Sequence, residues 1–263
     1  LLLFLENDEN TLLIGFGLSF FITLFIFNLK KNSFLADTFL VKKSLNTDNI
    51  LLIKWFSYGI PLSIWLASGL TLDFLDRFFI NYYLDSSKLG IYSGLQEILT
   101  RLFSLTLFPL TMSLHPRIMK LWNQSKFDEA KKLITNSFII MLGIGALTFI
   151  SFNYFNNFII FGLHNLIPQL NTESNRIILP LLLAGFLWQI SFLTHKMLEL
   201  NEKTLLMIIA FIPSLLINLI GNIIFLPKVG VIATSYTAFF SALSYCLFTG
   251  FYSIYILKKK KSD

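Results

Sequence analysis

Seven long apolar stretches limit what this chain can fold into. They are Thr11–Leu29, Trp55–Leu72, Leu89–Leu114, Leu133–Leu163, Ile177–Thr194, Thr204–Leu226 and Val229–Leu257. Each reaches or exceeds the roughly 17–25 residues that a helix needs to cross the hydrocarbon layer of a bilayer. Six of the seven contain no charged residue, and none alternates polar and apolar residues as an outer-membrane strand does. The sequence therefore predicts an all-α, polytopic bundle of seven transmembrane helices.

Composition excludes the common soluble classes. Of the 263 residues 55% are hydrophobic and only 14% are charged, whereas a soluble domain carries roughly 25% charged residues. A soluble enzyme, a nucleic-acid-binding domain and a disordered chain are therefore excluded, and no nucleic-acid partner is expected. The single cysteine, Cys246, cannot form an internal disulfide, and no Cys/His cluster has the spacing of metal ligands.

Catalytic motifs are absent from the sequence. It contains no nucleophile elbow, no zinc-protease helix motif and no phosphate-binding P-loop. We therefore predict no catalytic residue, no metal, no cofactor and no enzymatic activity.

The distribution of Lys and Arg between the apolar stretches predicts the orientation. The connections 30–54, 115–132 and 195–203, together with the tail 258–263, hold 16 of these residues, and the opposite connections hold 4. Positively charged loops remain in the cytoplasm. The C-terminus is therefore predicted to be cytoplasmic and, with seven spans, the first residue to be outside the cell.

Both ends of the chain bear on its organisation. It begins with Leu1-Leu2-Leu3, without a Met or the basic segment of a signal peptide. With an outside N-terminus, this favours a preceding N-terminal part with an odd number of spans. The basic residues 258–261 are predicted to form an anchoring tail that can contact anionic membrane lipids.

Two cytoplasmic connections differ from the rest. Residues 30–54 form a long basic stretch, as expected of a loop that joins two helix bundles. Residues 115–132 predict a short amphipathic helix, with Ile118, Leu121 and Trp122 on one face and Lys126, Asp128, Glu129 and Lys131 in water.

One predicted span carries charges in its interior. Arg101 lies near the midpoint of Leu89–Leu114, and Glu97 precedes it by one helical turn. Charged residues at that depth usually face a bundle interior or a water-filled path. The pair is therefore either an anion-binding or ion-coupling site in a translocation path, or an ion pair that only locks helices together.

A second charged group follows the span Trp55–Leu72. Asp73, Asp76 and Arg77 lie inside the outer leaflet if that helix continues to Leu84. They contact substrate, or Asp73 and Arg77 form an interfacial ion pair with a snorkelling Arg.

Two further polar pairs are predicted to be structural. His195 and Lys196 are interpreted as interface anchors, with a proton relay through His195 as the alternative. Asn218 and Asn222 lie four residues apart in one span, a spacing typical of hydrogen bonding between membrane helices.

Three motifs and the order of the spans resemble the Wzx-type polysaccharide (O-antigen) flippases, which share a superfamily with the multidrug and toxin extruders. The first motif is LDRFFINYYL at 75–84 with KLGIYS at 88–93. The second is LFPL at 107–110 with HPR at 115–117 and FDEAKK at 127–132, and the third is LPKVGVIATS at 226–235. The resemblance covers residues 50 to 257.

The resemblance implies a protein of about twelve spans in two lobes, located in the bacterial cytoplasmic membrane. Residues 1–29 would be the last span of the first lobe, 30–54 the inter-lobe loop, 55–257 a six-helix second lobe and 258–263 the tail. It further implies a cationic cavity between the lobes that passes a polyprenyl-pyrophosphate oligosaccharide from the inner to the outer leaflet. Arg101 is the residue that would meet the pyrophosphate.

Two other functions remain open at this point. A multidrug or organic-cation exporter of the same superfamily would need acidic cavity residues and no unpaired Arg. A membrane glycosyltransferase or glycan polymerase would need a long outside loop, whereas the longest outside segment here, near 72–88, has only about 16 residues.

Overall fold

The computed structural model describes residues 47–170 and 175–259, together with Leu18, Phe21 and Ile22. The chain divides into two compact units, Leu1–Ile53 and Lys54–Asp263. Of the described residues 93% are helical, and none of them forms a strand. The predicted first span Thr11–Leu29 (apart from those three residues), the part of the predicted loop before Thr47 and the tail after Lys259 lie outside the described residues.

Eight helices follow one another between residues 47 and 259 of the described chain. They are α1 (Thr47–Tyr83), α2 (Ser86–Asn123), α3 (Phe127–Tyr154), α4 (Asn156–Leu166), α5 (Asn175–Thr194), α6 (Lys196–Leu200), α7 (Thr204–Val229) and α8 (Val231–Lys259). Within these residues six segments are long and apolar enough to cross a membrane, with α5 and α6 together forming one of them. The prediction of an all-α, polytopic membrane bundle is confirmed.

Local chemistry explains two of the tight connections. Asp85 precedes α2, and its side chain accepts a hydrogen bond from the backbone N–H of Lys88 at 2.8 Å, which caps the start of that helix. Gly230 separates α7 from α8 with φ of +76°, a conformation that side-chain-bearing residues rarely adopt. Both connections are short, so consecutive helices run back across the bundle.

The prediction of a separate short amphipathic helix at 115–132 is wrong. Residues 115–123 are the last turns of α2, a short turn follows, and α3 begins at Phe127. Pro116 lies inside α2 without ending it, because neighbouring groups in a membrane bundle compensate for the missing N–H. The predicted faces nevertheless hold in part: Ile118 and Trp122 are buried, and Asp128 is fully exposed.

Two further predicted spans also differ from the helices of the structure. The segment Leu133–Leu163 is broken at Phe155, between α3 and α4. The span predicted at Trp55–Leu72 belongs to a helix that continues to Tyr83. The charged residues Asp73, Asp76 and Arg77 are therefore helical and lie within the spanning segment.

The close helix packing involves five helices. α8 packs against α5 and α7, α5 packs against α2, and α2 packs against α3. Two hydrophobic clusters fill the space between them, one around Tyr92, Phe103 and Phe186 and another around Trp65 and Tyr245. α1 takes little part in this close backbone packing and contacts the other helices through its side chains.

Candidate functional site

The carboxylate of Asp76 lies in the interior of the bundle, where the residue is 2% exposed. Its Oδ2 accepts a hydrogen bond from the hydroxyl of Tyr92 at 2.9 Å. Its Oδ1 accepts hydrogen bonds from the side-chain amides of Asn218 at 2.8 Å and Asn222 at 2.9 Å. Tyr92 belongs to α2 and both asparagines belong to α7, so Asp76 connects α1 to two other helices.

Helical spacing explains why α7 supplies two donors. Asn218 and Asn222 are four residues apart and therefore lie on the same face of the helix. Both are buried, and Asn222 Nδ2 also lies 3.3 Å from Asn218 Oδ1. The sequence prediction that these asparagines form interhelical hydrogen bonds is confirmed.

The hydrogen-bond donors around Asp76 are all neutral groups. A buried carboxylate without a cationic partner is costly in a membrane bundle, and ionisable residues at such positions are usually functional. Asn222 Oδ1 is also buried and, within the described part of the chain, has no hydrogen-bond partner. Carboxylate and amide oxygens together can take up a proton or coordinate a small hard cation. The arrangement is therefore suited to reversible neutralisation of Asp76.

A small cavity connects this group to the neighbouring Asp73. The cavity has a volume of about 30 Å³, and its lining includes Asp73, Asp76, Gln96 and Asn218. That volume is enough for about two water molecules. Asp73 is exposed and accepts a hydrogen bond from Gln96 Nε2 at 2.9 Å. Asp73 and Asp76 thus form a short polar route from the surface of the bundle to its interior.

The predicted pair Glu97 and Arg101 lies on the outer surface of α2. Arg101 Nε donates a hydrogen bond to Glu97 Oε1 at 2.7 Å. The side chain of Arg101 is 68% exposed and that of Glu97 is 52% exposed. They therefore do not face the interior of the described bundle. A charged pair near mid-span is costly in contact with lipid, so this face of α2 requires a polar environment.

The structure brings the five predicted residues into one region of α1 and α2. Arg77 is half-buried. The carboxylate of Asp73 interacts electrostatically with both Arg77 and Glu97. These residues therefore form a single charged region. Asp76 lies in its interior, and the exposed residues Asp73, Glu97 and Arg101 lie at its surface.

A comparison with known families decides what kind of protein this is. The MatE family model matches residues 61–224, which is more than half of the chain. The chain belongs to the MatE family. Members of this family are membrane transporters of the MOP superfamily rather than enzymes. No curated protein and no solved structure matches the chain.

The MatE match covers the whole charged region. It includes α1 from Pro61 onward, all of α2 and the two asparagines of α7. With six spanning segments in the described residues, the protein is a multi-pass membrane protein of a transporter family.

The match also covers a buried ionic cluster that sequence reasoning missed. Lys196 is 3% exposed and forms a salt bridge with Glu199, and its Nζ lies 2.9 Å from His115 Nδ1. His195 is also buried, with Nδ1 3.2 Å from the hydroxyl of Tyr245. The interpretation of His195 and Lys196 as interface anchors is therefore wrong.

A sequence signal for this cluster existed. Glu199 follows Lys196 by three residues in a short segment that is otherwise apolar, and this spacing predicts an ion pair on one helix face. The contact with His115 has no such signal, because 81 residues separate the two side chains.

Proposed function

We propose that this MatE-family chain forms one lobe of a flippase that moves lipid-linked oligosaccharide across a bacterial cytoplasmic membrane. The burial of the Asp76 carboxylate among three neutral donors carries the transport part of this proposal. The resemblance of residues 75–93 and 107–132 to polysaccharide flippases supports the substrate. The product of transport is the same lipid in the opposite leaflet, and no covalent bond changes.

Exchange of a proton or small cation at Asp76 is the proposed driving step. The ionised carboxylate holds Tyr92 on α2 and both asparagines on α7 to α1. Hydrogen bonds to a charged acceptor are stronger than those to a neutral one. Neutralising Asp76 therefore weakens the attachment of α1, which has few other close backbone contacts. Movement of α1 relative to α2 and α7 is the conformational change that this exchange controls.

Arg101 is the proposed contact for the pyrophosphate of the carrier lipid. Its side chain is largely exposed on a face that needs a polar environment, as expected at a cavity between two lobes. A guanidinium can donate two parallel hydrogen bonds to a phosphate group. On approach of the pyrophosphate, Arg101 can exchange its contact with Glu97 for one with substrate.

Export of glycan in cells tests the proposal. In a bacterial strain that lacks its own flippase, the full-length protein should restore oligosaccharide at the cell surface. Asp76→Asn keeps the size of the side chain but removes the exchangeable charge, so we expect export to be lost with normal membrane abundance. Asp128→Asn is the matched control, because Asp128 is fully exposed at the start of α3. Normal export by the Asp76→Asn protein would contradict the proposal.

An exporter of organic cations is the second candidate. The exposed carboxylates of Asp73 and Glu97 favour it, since acidic groups attract cationic substrates. A drug-sensitive strain expressing the full-length protein would then tolerate more ethidium, and the Asp73→Asn protein would lose this protection. Surface glycan without any gain in ethidium tolerance would favour the flippase.

A further inference from the structure

An apolar groove lies between α7 and α8, on the surface of the bundle away from Asp76. It has a volume of about 720 Å³ and is lined by Ile217, Ile220 and Phe225 of α7 and by Ala233, Tyr236 and Phe240 of α8, among others. Nearly all lining side chains are apolar. One polar lining group, the Thr237 hydroxyl, already donates to the carbonyl of Thr234 at 2.9 Å. The groove is therefore suited to a hydrocarbon chain.

The groove is longer than the depth of a single leaflet. On α7 it extends from Leu216 to Val229, which corresponds to roughly 20 Å at a rise of 1.5 Å per residue. The hydrocarbon layer of a bilayer is about 30 Å thick, so this is more than half of it. The groove ends at the turn around Gly230, which the Lys and Arg distribution predicts to be outside. From that end the groove covers the full depth of the outer leaflet, so the occupant would lie mainly there.

A lysine lies at the outer end of the groove. Lys228 follows Phe225 by three residues and Gly221 by seven, which is the spacing of one helix face, and both of those residues line the groove. Lys228 is exposed, and within the described residues it forms no salt bridge, whereas Lys88, also predicted to be outside, lies 3.9 Å from Asp85. A cation at the interface above an apolar groove is complementary to a lipid with a phosphate head group.

Close packing fixes the floor of the groove. A Cβ on Gly221 would lie 2.3 Å from Thr237 Cγ2, so the two helices approach each other as closely as a glycine allows. The groove on the lipid-facing side of this contact therefore results from the packing of α7 on α8.

We infer that this groove holds the chain of the polyprenyl-phosphate carrier lipid in the outer leaflet, with Lys228 contacting its phosphate. The inference rests on the proposed function and extends it by assigning the site where the lipid leaves the lobe after translocation. The carrier must pass from the cavity into the outer leaflet, and a groove with a cation at its end offers its chain and its head group separate contacts. Ordinary phospholipids have the rest of the apolar surface available and need no such site.

Photolabelling tests the inference directly. Membranes containing the full-length protein are incubated with polyprenyl phosphate that carries a diazirine on its chain, and cross-linked peptides are mapped by mass spectrometry. We expect labels on 216–240. Lys228→Gln should lower this labelling about fivefold, the factor that corresponds to about 1 kcal/mol per basic residue near a lipid surface. Lys228→Arg should retain it, and Lys88→Gln is the control for a basic residue outside the groove.

A second pair of variants separates groove binding from loss of fold. Ile220 and Ile212 lie on α7 and are 50% and 49% exposed, but only Ile220 lines the groove. Ile220→Trp should fill the groove and reduce labelling, whereas Ile212→Trp should leave it unchanged. Equal labelling in both, or labels spread over all helices and insensitive to Lys228→Gln, would overturn the inference.

Competition identifies the occupant. Unlabelled polyprenyl phosphate should displace the probe, and phosphatidylglycerol at the same concentration should not. Equal displacement by phosphatidylglycerol would overturn the assignment to the carrier lipid. Because labelling does not require transport, we expect the Asp76→Asn protein to be labelled normally. Labelling without oligosaccharide transport would refute the proposed function alone, and transport without labelling would refute this inference alone.

Discussion

Replacement of Arg101 by Ala distinguishes a water-facing pair from a lipid-facing one. Both side chains of the Glu97–Arg101 pair are more than half exposed, and a solvent-exposed ion pair contributes only about 0.2–1 kcal/mol. If the pair faces a water-filled cavity, the free energy of unfolding should fall by less than about 1 kcal/mol. If it faces lipid, the substitution leaves Glu97 unpaired near mid-span, and an unpaired charge there costs about 2.5–3.5 kcal/mol.

The assay is equilibrium unfolding of the full-length protein in lipid nanodiscs, with membrane abundance and glycan export measured in cells. We expect Arg101→Ala to unfold within about 1 kcal/mol of the wild type, to reach normal abundance and to lose export. Arg101→Lys should retain partial export, because a point charge still attracts phosphate without the two parallel hydrogen bonds. The double variant Glu97→Gln, Arg101→Gln is the control. Restored export in that variant, or a loss of stability above about 2 kcal/mol in Arg101→Ala, would refute the substrate contact.

Two further predictions concern topology and packing. A cysteine placed at exposed Ser87 should react with a membrane-impermeant maleimide in intact cells, and one at exposed Ser125 only after permeabilisation; the reverse pattern would overturn the predicted orientation. Gly145→Ala should destabilise the protein by about 1–3 kcal/mol, because the new Cβ would lie 2.2 Å from the ring of Phe186. Gly143→Ala has open space on the same helix and should be neutral or stabilising by up to about 1 kcal/mol; equal unfolding free energies for the two variants would contradict this account of the packing.

The helices and one polar contact could be predicted from the sequence because their signals are local. Charge-free apolar runs determine where membrane helices form, and the spacing of Asn218 and Asn222 identifies a shared helix face. Asp76 was a candidate, but its burial could not be distinguished from that of Asp73, three residues away. Burial depends on which helix packs against which face, and the partners of Asp76 on α7 are more than 140 residues away.

The wrong predictions have a common cause. The helix α2 continues through Pro116, and Lys196 and His195 are buried although they follow an apolar run as interface anchors do. In each case a distant contact overrides the local pattern: Ile118 belongs to the same buried cluster as Met197, and Lys196 contacts His115, which is 81 residues away. Tertiary contacts of this kind leave little trace in one sequence.

Gradient-driven translocation in a reconstituted system tests the central claim most directly. The full-length protein is placed in liposomes with a fluorescent polyprenyl-pyrophosphate oligosaccharide, and its transfer between leaflets is followed under an imposed proton or sodium gradient. The account predicts that a gradient of one of these ions accelerates transfer by the wild type, and that Asp76→Asn abolishes the response while Asp128→Asn does not. Transfer by Asp76→Asn that responds to the gradient as the wild type does, or no transfer by the wild type under either gradient, would contradict it.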